Sequence, residues 1–449
     1  MAFSPNPFSK LPRGREVWAW GMYDLANQSF QLLVDTLLLP IYFTTIVALA
    51  PGSGRTPEQA DGLWSTLVGA AMLLVVITSP GLGSLADARF WKKKLLISTG
   101  LLAVPLTAAL ALLGPGMVWQ AAALYITAKM LVGLGENFLG SFLPELSTPA
   151  TVGKVSALGW AMSYLGALVL LGVTAFVVFA LRADQPQQWK WMFLFAAVWF
   201  LLGMVPAMLL LKEHRPAAAA PPPSITATFV SSFVLIGRTV AQVRRYPQLV
   251  RFLLVFFVYS LGTNTVVFFL GIIGKRMGFG IQALTLMALI MALTAGIAAF
   301  ATGRFQDRLG HRRTIGVYLT IWIISTLAMA LISRSASLHD SRPAFWMIAG
   351  GLGLALGGIG TSSRAIVGAF TPESKSGEFF GLWGMVYKLA GVAGPVAFAK
   401  AGQALGQGNS LFVLCGFFAA GLALLGLVDE RKGMADAERN SSPHPKPGA

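Results

Sequence analysis

Charge is what this sequence has least of. Only 12% of its 449 residues are Asp, Glu, Lys or Arg, about half the share of a soluble domain. That excludes an ordinary water-soluble enzyme. Cysteine is nearly absent: the one example, Cys415, lies in an apolar run, so no disulfide framework exists. The four histidines, His214, His311, His339 and His444, all fall in loops or the tail, which leaves no imidazole inside an apolar run for metal or proton work. No Ser-His-Asp, Cys-His or Walker pattern occurs. The expectation is therefore a chain that is not an enzyme, with no metal site, no organic cofactor and no ATP-driven step of its own. Residues 1–16 also lack the apolar h-region of a signal peptide.

What the sequence does have is apolar length: 55% of its residues are hydrophobic. They gather into runs of about 20 residues, each enough to cross roughly 30 Å of hydrocarbon. Twelve helical spans are expected, at about 18–48, 62–85, 95–114, 117–142, 154–181, 190–211, 249–273, 281–302, 314–333, 344–367, 378–400 and 410–428. The net charge of +16 follows the same division. With the N-terminus placed inside, the inner loops and termini hold 23 of the 34 Lys and Arg, and the opposite loops hold eight. This is the positive-inside bias, not a nucleic-acid footprint. The expected partners are the lipid bilayer and a small-molecule substrate, with no nucleic acid. The expected setting is a monomer in the cell (inner) membrane, both termini cytoplasmic.

An internal repeat organises the chain. The loops "GSLADARFWKKK" (83–94) and "GRFQDRLGHRRT" (303–314) match at Gly83 and Gly303 and at Asp87 and Asp307. "WAMSY" (160–164) and "WGMVY" (383–387) share Trp, Met and Tyr at one spacing, and Tyr23 and Leu25 pair more weakly with Tyr259 and Leu261. Two six-helix halves follow, at 17–211 and 249–430. They are flanked by an N-terminal segment 1–16, a linker 212–248 whose start reads "KEHRPAAAAPPPS", and a tail 431–449. Parallel repeats of this kind are a recurring transporter plan with the substrate site near the midplane. In the repeated loop, glycine allows close helix approach and Asp can accept helix N-terminal amides, so the loop reads as a cytoplasmic gate.

At these residues the chain resembles the major facilitator superfamily, whose signature loop has the form G-x-x-x-D-R-x-G-R-R. "GRFQDRLGHRR" follows it through Gly303, Asp307, Arg308 and Arg312, while "GSLADARFWKK" departs at Ala88 and Phe90. Within the superfamily it is most similar to the bacterial unknown-major-facilitator group related to the yeast vacuolar effluxer of amino acids. That likeness rests on "YDLAN", "FLPEL" (142–146), "VSALGWAMSYLG" (155–166), "SSRAIVGAFTPE" (362–373) and "EFFGLWGMVYKLAGVAGP" (378–395). The related group often has Asp-Gly in the seventh span, where this chain has Leu261-Gly262 in "YSLGTN". The resemblance implies twelve transmembrane helices in two pseudo-symmetric bundles, an all-α polytopic membrane fold.

Polar groups inside the spans are the candidate site. Asp24, Asn27, Gln28, Gln31 and Asp35 fall within an arc of about 100° on an α-helix, a single stripe suited to a wet or protein-lined surface. The same stripe would also serve plain hydrogen bonding to a neighbouring helix. In the fourth span Tyr125, Lys129, Gly133, Glu136 and Gly140 share one face. By resemblance the first and fourth spans line the central cavity, which sets Asp35 opposite Lys129 and Asp24 near the level of Glu136. The second half contributes Asn264, Arg364, Lys388 and Tyr387, the repeat partner of Tyr164; Arg364 and Lys388 coincide with positions where the related group also has Arg and Lys. "GGLGLALGGIG" (350–360) reads as close helix packing, not a dinucleotide site.

The expectation is a secondary active transporter of a small zwitterionic or anionic organic solute, by resemblance amino-acid-like, working by alternating access with a proton as coupling ion. A Na⁺-coupled symporter of a neutral solute such as a sugar stands beside it, with an Asp and the amide oxygens of Asn27 and Gln28 as ligands. A membrane receptor or assembly factor that translocates nothing is the third reading.

Overall fold

The computed structural model describes residues 8, 11, 13–147, 152–182, 185–213, 241–334, 342–371 and 376–441, with scattered positions from 224 to 238. Most of the N-terminal segment, most of the linker and the tail beyond 441 lie outside the described residues. Every regular element among them is a helix. The spans are α1 (Gly14–Val47), α2 (Pro57–Arg89), α3 (Lys92–Ala109), α4 (Val118–Ser141), α5 (Val152–Leu181) and α6 (Lys190–Leu210). They continue as α7 (Pro247–Arg276), α8 (Ile281–Leu309), α9 (His311–Arg334), α10 (Arg342–Ala369) and α11 (Ser376–Leu405). These eleven contain the stretches long and apolar enough to cross a membrane; α12 (Gln407–Leu425) makes a twelfth, bending by 64° into the polar α13 (Glu430–Ser441). The all-α polytopic architecture expected from the apolar runs is present.

The first span departs from the regular helix on which its polar stripe was drawn. It is α-helical over Gly14–Gln28 and π-helical over Ser29–Leu38, resumes as one α turn at Leu39–Tyr42, and is π-helical again over Phe43–Val47. Pro40 supplies a cause, since it has no N–H to donate and its ring crowds the carbonyl one turn back. Thr36 donates its hydroxyl to the carbonyl of Gln31 at 2.8 Å, five residues earlier, which suits the wider coil. A π turn advances by less per residue than an α turn, and Asn27, Gln31 and Asp35 still meet one neighbour, α4, while Gln28 meets α5.

The chain divides into two compact units, Met1–Phe233 with Phe269–Leu289, and Val234–Phe268 with Ile290–Ala449. The division therefore passes through α7, between Phe268 and Phe269.

Apolar side chains face outward as well as inward: Trp119 is 85% exposed and Leu112 75%. Lipid is as apolar as leucine, so burial alone cannot hold such helices together, and close packing and hydrogen bonds must do so. In the first unit α1 packs on α5 and α6, α2 on α4, and α3 on α4 and α6. A Cβ on Gly166 of α5 would stand 2.7 Å from the carbonyl oxygen of Leu25, so only glycine lets these two backbones meet. In the second unit the same contact recurs, with Gly394 of α11 placed 2.3 Å from the carbonyl oxygen of Leu261 by the same measure. Leu25 and Leu261 are thus equivalent in packing as well as in sequence. The aromatic residues two places earlier, Tyr23 and Tyr259, are both buried; Tyr23 bonds the carbonyl of Leu96 at 3.2 Å and Tyr259 the hydroxyl of Ser363 at 2.6 Å. The glycine run of α10 presses its backbone on α8, where a Cβ at Gly357 would meet the carbonyl of Ala295 at 2.0 Å. It is a packing motif.

Candidate functional site

The polar residues of α1 separate into three contacts, two of them on α4. Asp35, 1% exposed, receives a hydrogen bond from the Tyr125 hydroxyl at 2.6 Å on one oxygen and an ion pair from Lys129 on the other. Lys129 is itself buried, so each charge is neutralised where water cannot do it. About two turns along α4, Glu136 accepts the side-chain amides of Gln31 and, at 3.4 Å, of Asn27. Unlike Asp35, Glu136 is exposed. The third contact runs to α5, where Gln28 donates its amide to Ser163 at 2.6 Å. Asp24 is half-buried on the α-helical part of α1.

An exposed carboxylate inside a span and a sealed one about two turns away have different chemistry. Asp35 has both oxygens engaged by groups on α4. Glu136 accepts N–H donors from Gln31 and Asn27 and is exposed. Asn27 keeps its carbonyl oxygen buried and without a hydrogen-bond partner, so the amide is aimed at Glu136 nitrogen first. Asn27 turns its N–H to Glu136, and Gln28 turns its N–H to Ser163.

The remaining span residues lie as follows. Tyr164 is half-buried on α5, its ring 5.8 Å from that of Trp160. In the second unit Asn264, buried, donates to the carbonyl of Ser260 at 3.0 Å and to that of Tyr387 at 3.4 Å. The Tyr387 ring is 6.0 Å from Phe256. Lys388 beside it and Arg364 on α10 are half-buried. Tyr125 and Ser163 complete the α1 contacts. Tyr125 carried a signal, sharing its helical face with Lys129 and Glu136, whereas Ser163 carried none.

The repeated loop contributes helix caps. At the start of α3, Glu213, just past α6, accepts the backbone N–H groups of Lys92 and Lys93 at 3.1 and 3.3 Å. Lys92 also pairs with Glu145 at 2.9 Å. At the start of α9, Glu430, just past α12, accepts those of His311 and Arg312 at 3.0 and 3.1 Å, and the His311 ring nitrogen at 2.7 Å. A carboxylate here meets the unpaired amides and positive end of a helix. The His311 hydrogen bond, helped by the two backbone N–H groups, holds Glu430 down to about 2, whereas burial pushes Glu213 up despite its own N–H donors. Gly83 is half-buried, while Gly303, Arg308 and Arg312 are exposed. No described atom lies within 4 Å of where a Cβ would stand on Gly83 or Gly303, so among the described residues neither makes the close helix contact expected of it. The side chains of Asp87 and Asp307 lie outside the described residues.

Comparison with known proteins agrees with this architecture. Across 93% of its length the chain superposes on the crystal structure of a D-xylose-proton symporter, covering 98% of that chain with a TM-score of 0.70 at 15% identity, which establishes the fold. The uncharacterized MFS-type transporter YxiO of Bacillus subtilis is 25% identical over 422 residues, 92% of this chain and 94% of that protein. Autophagy-related protein 22-1 of Penicillium rubens is 25% identical over 301 residues, 63% of this chain, which spans about half of the fungal protein's length (50%). The family model described as vacuole effluxer Atg22 like matches residues 63–438. Those residues run from α2 through α12 and into α13, and the chain is a multi-pass membrane transporter of the major facilitator kind, belonging to the vacuole effluxer Atg22-like family.

Proposed function

We propose that the protein is a secondary active transporter for a small solute carrying an ammonium group, such as an amino acid or its amide, and that the proton is its coupling ion. One observation carries this reading: of the two carboxylates that α4 and α1 bring together, Asp35 is sealed by Lys129 and Tyr125, and Glu136 is exposed. Glu136 offers an ammonium group a negative partner with N–H donors from Gln31 and Asn27 around it. A proton on the same carboxylate removes that partner, so proton and solute ammonium compete for one site and their movements are coupled. Alternating access presents this site to each side of the membrane in turn. The N–H groups that Asn27 and Gln28 present favour a proton over Na⁺, which needs oxygen ligands. The expected location is the cell membrane, with both termini on the side of the basic loops.

Flux into proteoliposomes tests the reading. An imposed pH gradient should drive counterflow of radiolabelled amino acids, and deaminated analogues should neither be transported nor compete. Glu136→Gln should lower flux by about ten-fold or more, the usual size of the loss of one charged binding partner, while Asp24→Glu should keep most of it. Na⁺-dependent flux at fixed pH, or full flux in Glu136→Gln, would overturn the assignment.

A further inference from the structure

One buried acid remains outside the proposed site. Asp61, in the second turn of α2, is 6% exposed, and its Oδ1 lies 2.6 Å from Nη2 of Arg276, the last residue of α7. The same Nη2 donates to the carbonyl of Pro57 at 3.2 Å, so one guanidinium holds the first two turns of α2, one point in each. Five residues back along α7, a Cβ on Gly271 would stand 3.1 Å from the carbonyl of Thr36 and 3.2 Å from that of Leu37, so the same end of α7 also lies tightly on α1. These contacts are all at the face opposite the basic loops. They explain why the compact units divide inside α7, with Phe269–Leu289 belonging to the unit of α1 and α2 and Val234–Phe268 to the other.

Just before that division the helix is softened. Thr263, Asn264 and Thr265 all turn their side chains back to carbonyls of the preceding turn, at 3.3, 3.0 and 2.6 Å. Side chains bonded in this way compete with the helix's own ladder and favour bending. The end of α7 is thus joined to the rest of its helix through a bendable turn and tied to α2 by charge.

We propose that Asp61 and Arg276 form a gating latch: the pair holds the end of α7 on α2 and must part before the transporter opens on the face opposite the basic loops. Transport needs both faces to open in turn, and an ion pair between buried Asp61 and half-buried Arg276 is a contact with two discrete states, closed or broken, as such a switch requires. The latch acts on access and makes no demand on which solute is carried or on what Glu136 does.

Spin-label distances test it without reference to substrate. Cys415→Ser removes the only cysteine, and Gln59→Cys with Lys275→Cys then places one label on each helix end. The parent protein in nanodiscs should give a short distance. In Asp61→Asn and in Arg276→Gln a longer distance should appear, with the long-to-short ratio raised by about ten-fold, the shift expected when a state loses one strong contact. The reversed pair, Asp61→Arg with Arg276→Asp, should restore the short distance, which a variant damaged in folding would not do. Unchanged distances in the single variants would overturn the latch. So would lengthening that the reversed pair does not repair, because the contact would then be packing and not charge.

Discussion

Glu430 occupies in the second half the place that Glu213 holds in the first: each stands just past the sixth span of its half and caps the third, with N–H to carboxylate distances of 3.0–3.1 and 3.1–3.3 Å. The two carboxylates do the same structural work and titrate in opposite directions, because only Glu430 has a histidine ring against it.

Their acid responses should therefore separate. Glu430 has a folded value of about 2 against an ordinary 4.5, so its contribution is complete above the ordinary value and is lost as pH falls from there through about 2. The melting temperature of Glu430→Gln should lie below that of the parent protein at neutral pH, and the two should converge as pH approaches 2. Glu213→Gln should converge with the parent at a higher pH, since burial makes Glu213 take up its proton earlier. Melting curves in detergent over this pH series check both.

The Asp35 cluster predicts strong non-additivity. Removing one partner of a buried pair strands the other charge, a loss of about 3–5 kcal/mol, whereas replacing both is often near neutral. Asp35→Asn and Lys129→Met should each lower stability sharply, and the double variant should recover most of it. Tyr125→Phe should cost about 1–3 kcal/mol by the loss of one hydrogen bond to a charged group. A double-mutant cycle measured by thermal unfolding checks the coupling. Additive losses would mean that the pair does not act as a unit.

The two backbone-to-glycine contacts should be equally intolerant. Gly166→Ala and Gly394→Ala each place a methyl group inside 3 Å of a carbonyl oxygen. Each should destabilise by about 1–3 kcal/mol, the range for overpacking. Gly83→Ala and Gly303→Ala, with no described atom nearby, should melt like the parent protein.

Much of this was legible in the sequence, and the failures have physical causes. Span number and the two-fold repeat follow from apolar run length and from motifs such as Trp160-x-Met162-x-Tyr164, because lipid imposes length and duplication preserves spacing. Asp35 opposite Lys129 was likewise legible, since an acid and a base inside spans must find partners. The π-helical coil of Ser29–Leu38, on which part of the polar stripe lies, was not. The capping role of Glu213 and Glu430 depends on where separate helix ends meet in space, which no local pattern encodes. Asp61 and Arg276 are 215 residues apart in the sequence, and nothing in either neighbourhood points to the other.

The wide coil of α1 also bears on how this span tolerates insertion and deletion. Each π-type ring encloses one residue more than an α-type ring, so the stretch Ser29–Leu38 holds slack. A residue removed there can be absorbed by one ring tightening, with the helix ends left in place. Asp35 would then be rotated off Lys129 while Asn27, on the α-helical side, stayed beside Glu136. In most spans a lost residue shortens the rod; in this one it turns a dial.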